Sequence, residues 1–140
     1  MKILIAEDDE NSRLLLESIL ASLGHTVLVA ADGELAWQLL IDEHPDLLIT
    51  DILMPGIDGF ELCRRARRIE TAQRMPIIVY SATYVDRRDE EMALAAGANR
   101  FIIKPIEPLE MIREIEAVMA AAPPPPQAGY SDAELNAMHV

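Results

Sequence analysis

The chain has little cysteine, few aromatic residues and few basic residues. Its single cysteine, Cys63, excludes an internal disulfide and is compatible with a reducing cytoplasm. Aromatic residues make up 4% of the 140 residues, so the core must be built from Leu, Ile, Val, Ala and Met. Lys and Arg total 12 against 24 Asp and Glu, which gives a net charge of −12. Because binding to a phosphate backbone needs a basic face, we expect no direct nucleic acid binding by this segment.

Long apolar runs are also missing. No stretch approaches the roughly 20 apolar residues of a membrane span, so we expect no membrane insertion. Residues Met1-Lys2-Ile3 lead directly into an apolar strand, and we therefore expect no signal peptide and a cytoplasmic location. The three histidines, His25, His44 and His139, are scattered and predict no histidine-based metal cluster.

Short apolar runs alternate with amphipathic segments along the chain. Five runs predict strands, at residues 3–6, 26–30, 47–51, 76–80 and 100–103. The segments after them predict five helices, and the inner-face residues expected for the first three are Leu14, Leu15, Ile19, Leu20, Leu23, Leu35, Trp37, Leu39, Leu40, Phe60, Leu62 and Cys63. This alternation predicts an α/β fold, with a doubly wound parallel sheet covered by helices on both faces.

The composition changes abruptly after residue 121. Residues 1–121 are long enough for one domain with a core of ordinary size. Four consecutive prolines, Pro123–Pro126, predict a stiff linker, and Ser131 with Glu134 has the spacing of a helix capping box. We interpret residues 122–140 as a Pro-rich linker and the start of a further segment; a disordered tail is the alternative.

Polar side chains follow the predicted strands at the points where they end. Glu7-Asp8-Asp9 follow the first strand, and Asp51 ends the third before a loop rich in Pro and Gly. Ser81 follows the fourth strand and Lys104 the fifth. Because ligands of open parallel sheets bind beyond the carboxyl ends of the strands, these residues predict a functional site at that edge.

Several carboxylates at one edge repel each other. Two unit charges 4 Å apart cost about 4 kcal/mol at an effective dielectric constant of 20, so either some protonate or a divalent cation is held there. Carboxylates, a backbone carbonyl and water suit Mg²⁺ or Mn²⁺ better than Zn²⁺. Near such a cation Asp51 could attack a phosphoryl group, with Lys104 and Ser81 holding the added oxygens. Which two of Glu7, Asp8 and Asp9 hold the cation stays open on these grounds.

Four stretches together resemble the receiver domain of two-component response regulators, over about residues 1 to 121. These are residues 3–8, residues 51–59, Ser81-Ala82 and Lys104-Pro105. The resemblance implies a flavodoxin-like strand order of 2-1-3-4-5 and a cis Lys104-Pro105 peptide. It also implies phosphorylation of Asp51 by a sensor histidine kinase or a phosphotransfer protein.

The resemblance further implies a metal site and a switch. Its acidic pair corresponds to Glu7 and Asp8, with Asp8 as a direct ligand of Mg²⁺ or Mn²⁺ and Glu7 acting through water. Asp51 and the backbone carbonyl of Leu53 complete the implied ligands, while Asp9 begins the first helix. Ser81 and Phe101 correspond to the switch pair.

The output that the resemblance implies is a changed surface on the fourth helix, fifth strand and fifth helix. This surface would control an attached output domain or a separate effector protein. The resemblance also implies that a second copy of the chain could bind, as a homodimer linked to phosphorylation. No turnover of a separate substrate is expected, so the chain is not expected to be an enzyme.

Two other functions fit the sequence less well. A Mg²⁺-dependent phosphohydrolase normally needs a second acid two residues after its nucleophile, where this chain has Leu53, and a cap that this chain lacks. A pseudo-receiver that only binds partners is disfavoured by the intact set Glu7, Asp8, Asp51, Ser81 and Lys104. The arginines at 64, 65, 67 and 68 are interpreted as a solvated helix face.

Overall fold

A computed structural model describes residues 1–82 and 86–121, in which five strands alternate with five α-helices. The strands are β1 (Lys2–Ala6), β2 (Thr26–Ala30), β3 (Leu47–Thr50), β4 (Ile77–Ser81) and β5 (Arg100–Ile103). The helices are α1 (Glu10–Ser22), α2 (Gly33–Glu43), α3 (Gly59–Arg68), α4 (Arg87–Ala96) and α5 (Pro108–Ala120), with a 3₁₀ turn at Glu70–Ala72. The features predicted for residues 122–140 lie outside the described residues.

The five strands form one parallel sheet in the order β2-β1-β3-β4-β5. This order, with the helices between the strands, is the flavodoxin-like architecture, and it confirms the predicted fold class. All four residues of the central strand β3 are buried, as expected for a parallel strand covered on both faces.

Helices cover both faces of the sheet, so the core has two layers. Alternate residues of a strand point to opposite faces: Ile77 and Val79 of β4 join the layer beneath α2, α3 and α4, whereas Ile78 joins the layer beneath α1 and α5. Each fully buried Leu, Ile or Val contributes about 1.5–3 kcal/mol relative to its exposed state. The two apolar layers are therefore the main source of stability.

Aspartates set the starting points of four helices. Asp9, Asp32, Asp58 and Asp86 are the N-caps of α1 to α4, and each side chain accepts a hydrogen bond from a backbone N–H three residues later. Such a cap satisfies one of the unpaired donors in the first turn. The helix α5 begins instead with Pro108, which has no N–H to satisfy.

The predicted inner face of α1 was partly wrong. Leu16 and Leu20 are its buried residues, while Leu14, Leu15 and Leu23 are exposed. Three consecutive leucines make the helical period ambiguous, so packing against the sheet decides which of them is buried.

Trp37 of α2 is buried as predicted, but Leu35 is exposed. In α3, the predicted inner residues Phe60, Leu62 and Cys63 are all buried. Burial raises the pKa of the Cys63 thiol to about 12, so this cysteine packs as a small apolar residue.

The interpretation of the α3 arginines as a solvated face was wrong for Arg67. Its side chain is 1% exposed and donates hydrogen bonds to the carbonyls of Ala72, Met75 and Gly97 and to Oδ1 of Asn99. Burial lowers the pKa of Arg67. The guanidinium thus joins α3 to the 3₁₀ turn, to the loop before β4 and to the α4–β5 loop.

Across residues 1–82 and 86–121, no helix combines the length and the apolar character that crossing a membrane requires.

Candidate functional site

The predicted site residues meet at the carboxyl edge of the sheet. Glu7 directly follows β1, and its N–H donates to the carbonyl of Ala30 at 2.9 Å. Asp51 directly follows β3, and its N–H donates to the carbonyl of Ala6 at 2.9 Å. These bonds extend the strand pairing by one residue, so the main chain beneath both carboxylates is held by the sheet.

Three carboxylates form a cluster at this edge. Ligand oxygens of Glu7, Asp8 and Asp51 all lie within 4.8 Å of one another. Glu7 and Asp51 are buried and Asp8 is exposed, so the cluster opens to solvent on the side of Asp8. The third acid of the run, Asp9, instead accepts a hydrogen bond from the N–H of Ser12 at 2.9 Å as the cap of α1.

The donors at this cluster suit a hard divalent cation. They are carboxylate oxygens, the ligand type that Mg²⁺ and Mn²⁺ take in proteins. Leu53 lies two residues after Asp51, in the loop before α3, and is 45% exposed.

Lys104, which follows β5, lies among these acids. Its Nζ donates to Oδ2 of Asp51 at 3.1 Å and to Oε1 of Glu7. Its backbone N–H donates to the carbonyl of Ser81 at 3.0 Å, and the Lys104-Pro105 peptide is cis. Burial alone would lower the pKa of Lys104, but the hydrogen bonds to Glu7 and Asp51 outweigh it and the pKa is raised. The ammonium group is therefore a permanent positive charge at the site.

The charges at the site do not balance. Burial raises the pKa of Glu7 to about 7, the hydrogen bond from Lys104 opposes this rise, and the negative charge of Asp51 adds to it. Three acids face one lysine, so the site retains negative charge that a cation or added protons must offset.

The loop after Asp51 folds back on the residue it follows. The N–H of Gly59 donates to the carbonyl of Ile52 at 2.7 Å. A Cβ at position 59 would lie 2.1 Å from the carbonyl oxygen of Asp51, so only glycine fits there. Gly56 has φ +79, a left-handed conformation in the turn of the same loop. Both glycines serve the loop, and Gly59, the first residue of α3, can lie against Asp51 because it has no side chain.

The two predicted switch residues lie on neighbouring strands. Ser81, predicted to follow the fourth strand, is the last residue of β4 and is fully buried. Phe101 of β5 pairs with Val79 of β4, is partly buried, and packs against the α2–α3–α4 core layer. Strand alternation directs Ser81 to the same face as Val79, so Ser81 and Phe101 share one face of the sheet.

Sequence reasoning missed two contacts of the site. Nζ of Lys104 lies 4.9 Å from the ring centroid of Tyr80, and Nη1 of Arg13 donates to the carbonyl of Glu7 at 3.0 Å. Strand alternation could have placed Tyr80 on the face opposite Ser81. Nothing in the sequence pattern relates Arg13 to the turn after β1.

A flavodoxin-like sheet of order 2-1-3-4-5, with acids after β1 and β3 and a lysine after β5, defines the class of α/β domain to which this chain belongs. The family model of the response regulator receiver domain matches residues 3–116. The chain therefore belongs to the response regulator receiver domain family, whose members are signalling modules rather than enzymes that turn over a substrate.

Individual relatives agree with this assignment. The chain is 40% identical over 124 residues to an uncharacterised 14.6 kDa protein of Leptolyngbya boryana, covering 89% of this chain and 94% of that protein. It is also 40% identical over 117 residues to the transcriptional regulatory protein AfsQ1 of Streptomyces coelicolor, covering 84% of this chain and 50% of the regulator. Many of the curated relatives are likewise about twice as long as the region they share with this chain.

Among solved structures, the chain resembles the receiver domain of the sensor histidine kinase PA1611 from Pseudomonas aeruginosa. The TM-score is 0.78 at 31% identity, covering 86% of this chain and 98% of that one. That structure has a magnesium ion coordinated in its active-site cleft.

Proposed function

We propose that this chain is the phosphorylation-activated receiver of a two-component phosphorelay, with Asp51 as the phosphoryl acceptor. The single observation that supports this most strongly is the contact of Lys104 with both Glu7 and Asp51. It brings a cation from the end of β5 to a buried carboxylate at the end of β3, beside a second acid from β1.

The transfer would proceed in one displacement. A carboxylate oxygen of Asp51 attacks the phosphorus of a phosphohistidine on a sensor kinase or phosphotransfer protein. An O–P bond forms as the P–N bond breaks, and the imidazole leaves with the electron pair of that bond. The ammonium of Lys104 then bonds an oxygen of the transferred group, as a fixed charge positioned before the reaction.

Mg²⁺ or Mn²⁺ fits the donors of this site. Asp8, Asp51 and the Leu53 carbonyl would hold the ion directly, and Glu7 would act through water. When bound, the ion supplies positive charge that offsets the carboxylates and the incoming phosphoryl oxygens.

The function can be tested with the purified chain. With Mg²⁺ and acetyl phosphate, the intact mass should rise by one phosphoryl group, and EDTA should prevent the rise. The linkage should be stable in acid and labile in base, as an acyl phosphate is. A chain that takes up no phosphate from acetyl phosphate or from any histidine donor would refute the proposal.

The metal ligands can be separated by two charge-matched variants. Asp8→Asn removes a direct ligand and should weaken Mg²⁺ binding by at least the roughly tenfold that loss of an outer-shell partner already costs. Asp9→Asn removes the same charge from the next residue but keeps a good helix N-cap, so it should change the affinity much less. Calorimetric titration with Mg²⁺ measures both. The reverse order would show that the acidic pair is shifted by one residue.

Phosphorylation would be read out through the Ser81 and Phe101 pair. The phosphoryl group adds a charge of roughly −2 and new acceptor oxygens at Asp51. We expect the Ser81 hydroxyl to move towards these oxygens and Phe101 to turn into the space beside β5. The surface of α4, β5 and α5 would change with them, as a shift between two states of different affinity for phosphate.

A Ser81 variant tests this switch. Ser81→Ala should still accept phosphate on Asp51 but lose most of the structural response, because it lacks the hydroxyl that bonds the phosphoryl oxygens. NMR shifts of α4 and β5 amides, with and without a beryllofluoride mimic, measure the response. Ser81→Thr keeps a hydroxyl and should keep the response. Equal shift changes in the wild type and Ser81→Ala would mean that the signal leaves the site by another route.

The partners follow from the same proposal. Residues 1–121 would form the receiver and residues 122–140 would lead towards an output segment, or a separate effector would read the α4–β5–α5 surface. A phosphorylation-linked homodimer is a further form of output. The phosphoryl group would be lost slowly by hydrolysis, without turnover of any other substrate.

A further inference from the structure

Tyr80 lies beside the site but on the other face of the sheet from the switch residues. It directly precedes Ser81 on β4, and strand alternation turns its ring towards α1 and α5. The ring packs, partly buried, against the core layer that contains Leu16 and Met111. None of the steps above uses this residue.

Tyr80 is joined to the segment that carries the site lysine. The ammonium of Lys104 lies 4.9 Å from the ring centroid, within the roughly 6 Å over which an aromatic face attracts a cation. Ile106, two residues beyond Lys104, packs against the same core layer as Tyr80. Tyr80 therefore contacts the tip of the lysine side chain and shares a core layer with the loop that follows the lysine.

The side chain of Lys104 needs a contact that fixes its direction, because its backbone lies far from the acids. It follows an edge strand, and its flexible side chain must reach past β4 and β3 to Glu7 at the end of β1. A lysine head group has three donors and no planar geometry of its own to fix its direction. Its side chain is only 12% exposed, so a neighbouring ring can restrict it strongly.

We propose that Tyr80 is a positioning residue for phosphoryl transfer, whose ring holds the Lys104 ammonium in the direction of Asp51. The inference rests on the proposed function and deepens it. The aromatic face attracts the ammonium without neutralising it, so the charge remains available to the phosphoryl oxygens. Glu7 and Asp51 hold the lysine through hydrogen bonds, and the oxygens of the incoming phosphoryl group compete for the same donors. The ring does not compete with those oxygens, so its contact with the ammonium persists through the transfer.

The Tyr80 ring should have a moderate effect on the rate of phosphorylation, and the effect should depend on the ring and not on its hydroxyl. A contact of this kind is typically worth a factor of about 2 to 30 in an equilibrium or rate. Tyr80→Leu should slow phosphorylation by acetyl phosphate within that range. Tyr80→Phe keeps the ring and loses only the hydroxyl, so its rate should stay close to that of the wild type.

A spectroscopic measurement tests the contact without any phosphorylation. The aromatic ring should shift the side-chain methylene protons next to the Lys104 ammonium upfield, and carbon-edited NMR records that shift. The shift should persist in Tyr80→Phe and disappear in Tyr80→Leu. Leu16→Val serves as the control, because it loosens the same core layer without touching Lys104, and it should keep both the shift and the rate.

The outcomes separate the two proposals. Tyr80→Leu reacting as fast as the wild type would overturn the positioning role, and so would Tyr80→Phe being as slow as Tyr80→Leu. A slow Leu16→Val variant would also overturn it, since general loosening would then explain the loss. If the wild type takes no phosphate, the proposed function fails, while the Lys104 shift still shows whether the ring contact exists.

Discussion

Asp51→Asn should reduce phosphorylation by acetyl phosphate and Mg²⁺ to background. An amide oxygen is not a useful nucleophile towards phosphorus, whereas the carboxylate of Asp51 is one when positioned beside the reacting group. The substitution is nearly isosteric: its one side-chain oxygen can still accept the hydrogen bond that Ile52 donates to Oδ1, while the amide nitrogen replaces the Oδ2 that accepts from Lys104. Intact mass and acid-gel radiolabelling measure the loss directly.

Asp58→Asn is the matched control. Asp58 lies in the same loop and caps α3 by accepting a hydrogen bond from Glu61 at 2.8 Å, a role that Asn also fills. This variant removes the same charge and should be labelled like the wild type. Labelling that persists in Asp51→Asn would show that another side chain is the acceptor.

Arg67→Ala should destabilise the fold by about 3 kcal/mol or more, because each buried acceptor left without its donor costs about 1–3 kcal/mol. The substitution removes the donor that the carbonyls of Ala72, Met75 and Gly97 share and opens a cavity beside the α4–β5 loop. Arg67→Lys keeps the charge but not the planar set of donors, so it should also lose stability, to a smaller extent. Urea unfolding followed by circular dichroism measures the free energy of unfolding.

The control on the same helix is Arg64→Ala. Arg64 is exposed and pairs with Glu61 at 3.3 Å, and exposed ion pairs contribute about 0–1 kcal/mol. Equal losses of stability in Arg64→Ala and Arg67→Ala would contradict the structural role assigned to Arg67.

The strands and the edge of the sheet where their polar residues meet could be predicted because local pattern controls them, whereas the strand order was implied by the resemblance to receiver domains. Four of the five strands, β1, β3, β4 and β5, are short apolar runs with a polar residue at the end or directly after it, and parallel strands bring those ends to one edge. Glu7, Asp51 and Lys104 were therefore expected to be neighbours, and the structure places them in contact. The role of each in phosphoryl transfer remains a proposal.

Arg67 could not be predicted for a physical reason. A buried arginine is usually sought with an acidic partner, whereas the hydrogen bonds described for Arg67 go to backbone carbonyls and to one asparagine side chain. These acceptors lie in two separate loops. Because every residue has a backbone carbonyl, the sequence does not show which carbonyls accept from Arg67. The same limit applies to Leu14 and Leu15, since their exposure depends on how α1 sits on the sheet and not on their own hydropathy.

The contact between Lys104 and Glu7 joins residues 97 positions apart. It also spans the sheet, because β3 and β4 lie between the strands that carry them. During synthesis the three acids leave the ribosome well before the lysine that compensates them. A nascent chain that ends within β4 therefore carries the acidic pocket without its cation, and self-repulsion opposes its closure. Within the described residues β5 is the last strand to be made, and it both completes the sheet and brings Lys104 to the acids. The proposed acceptor site is therefore assembled only after β5 has been synthesised.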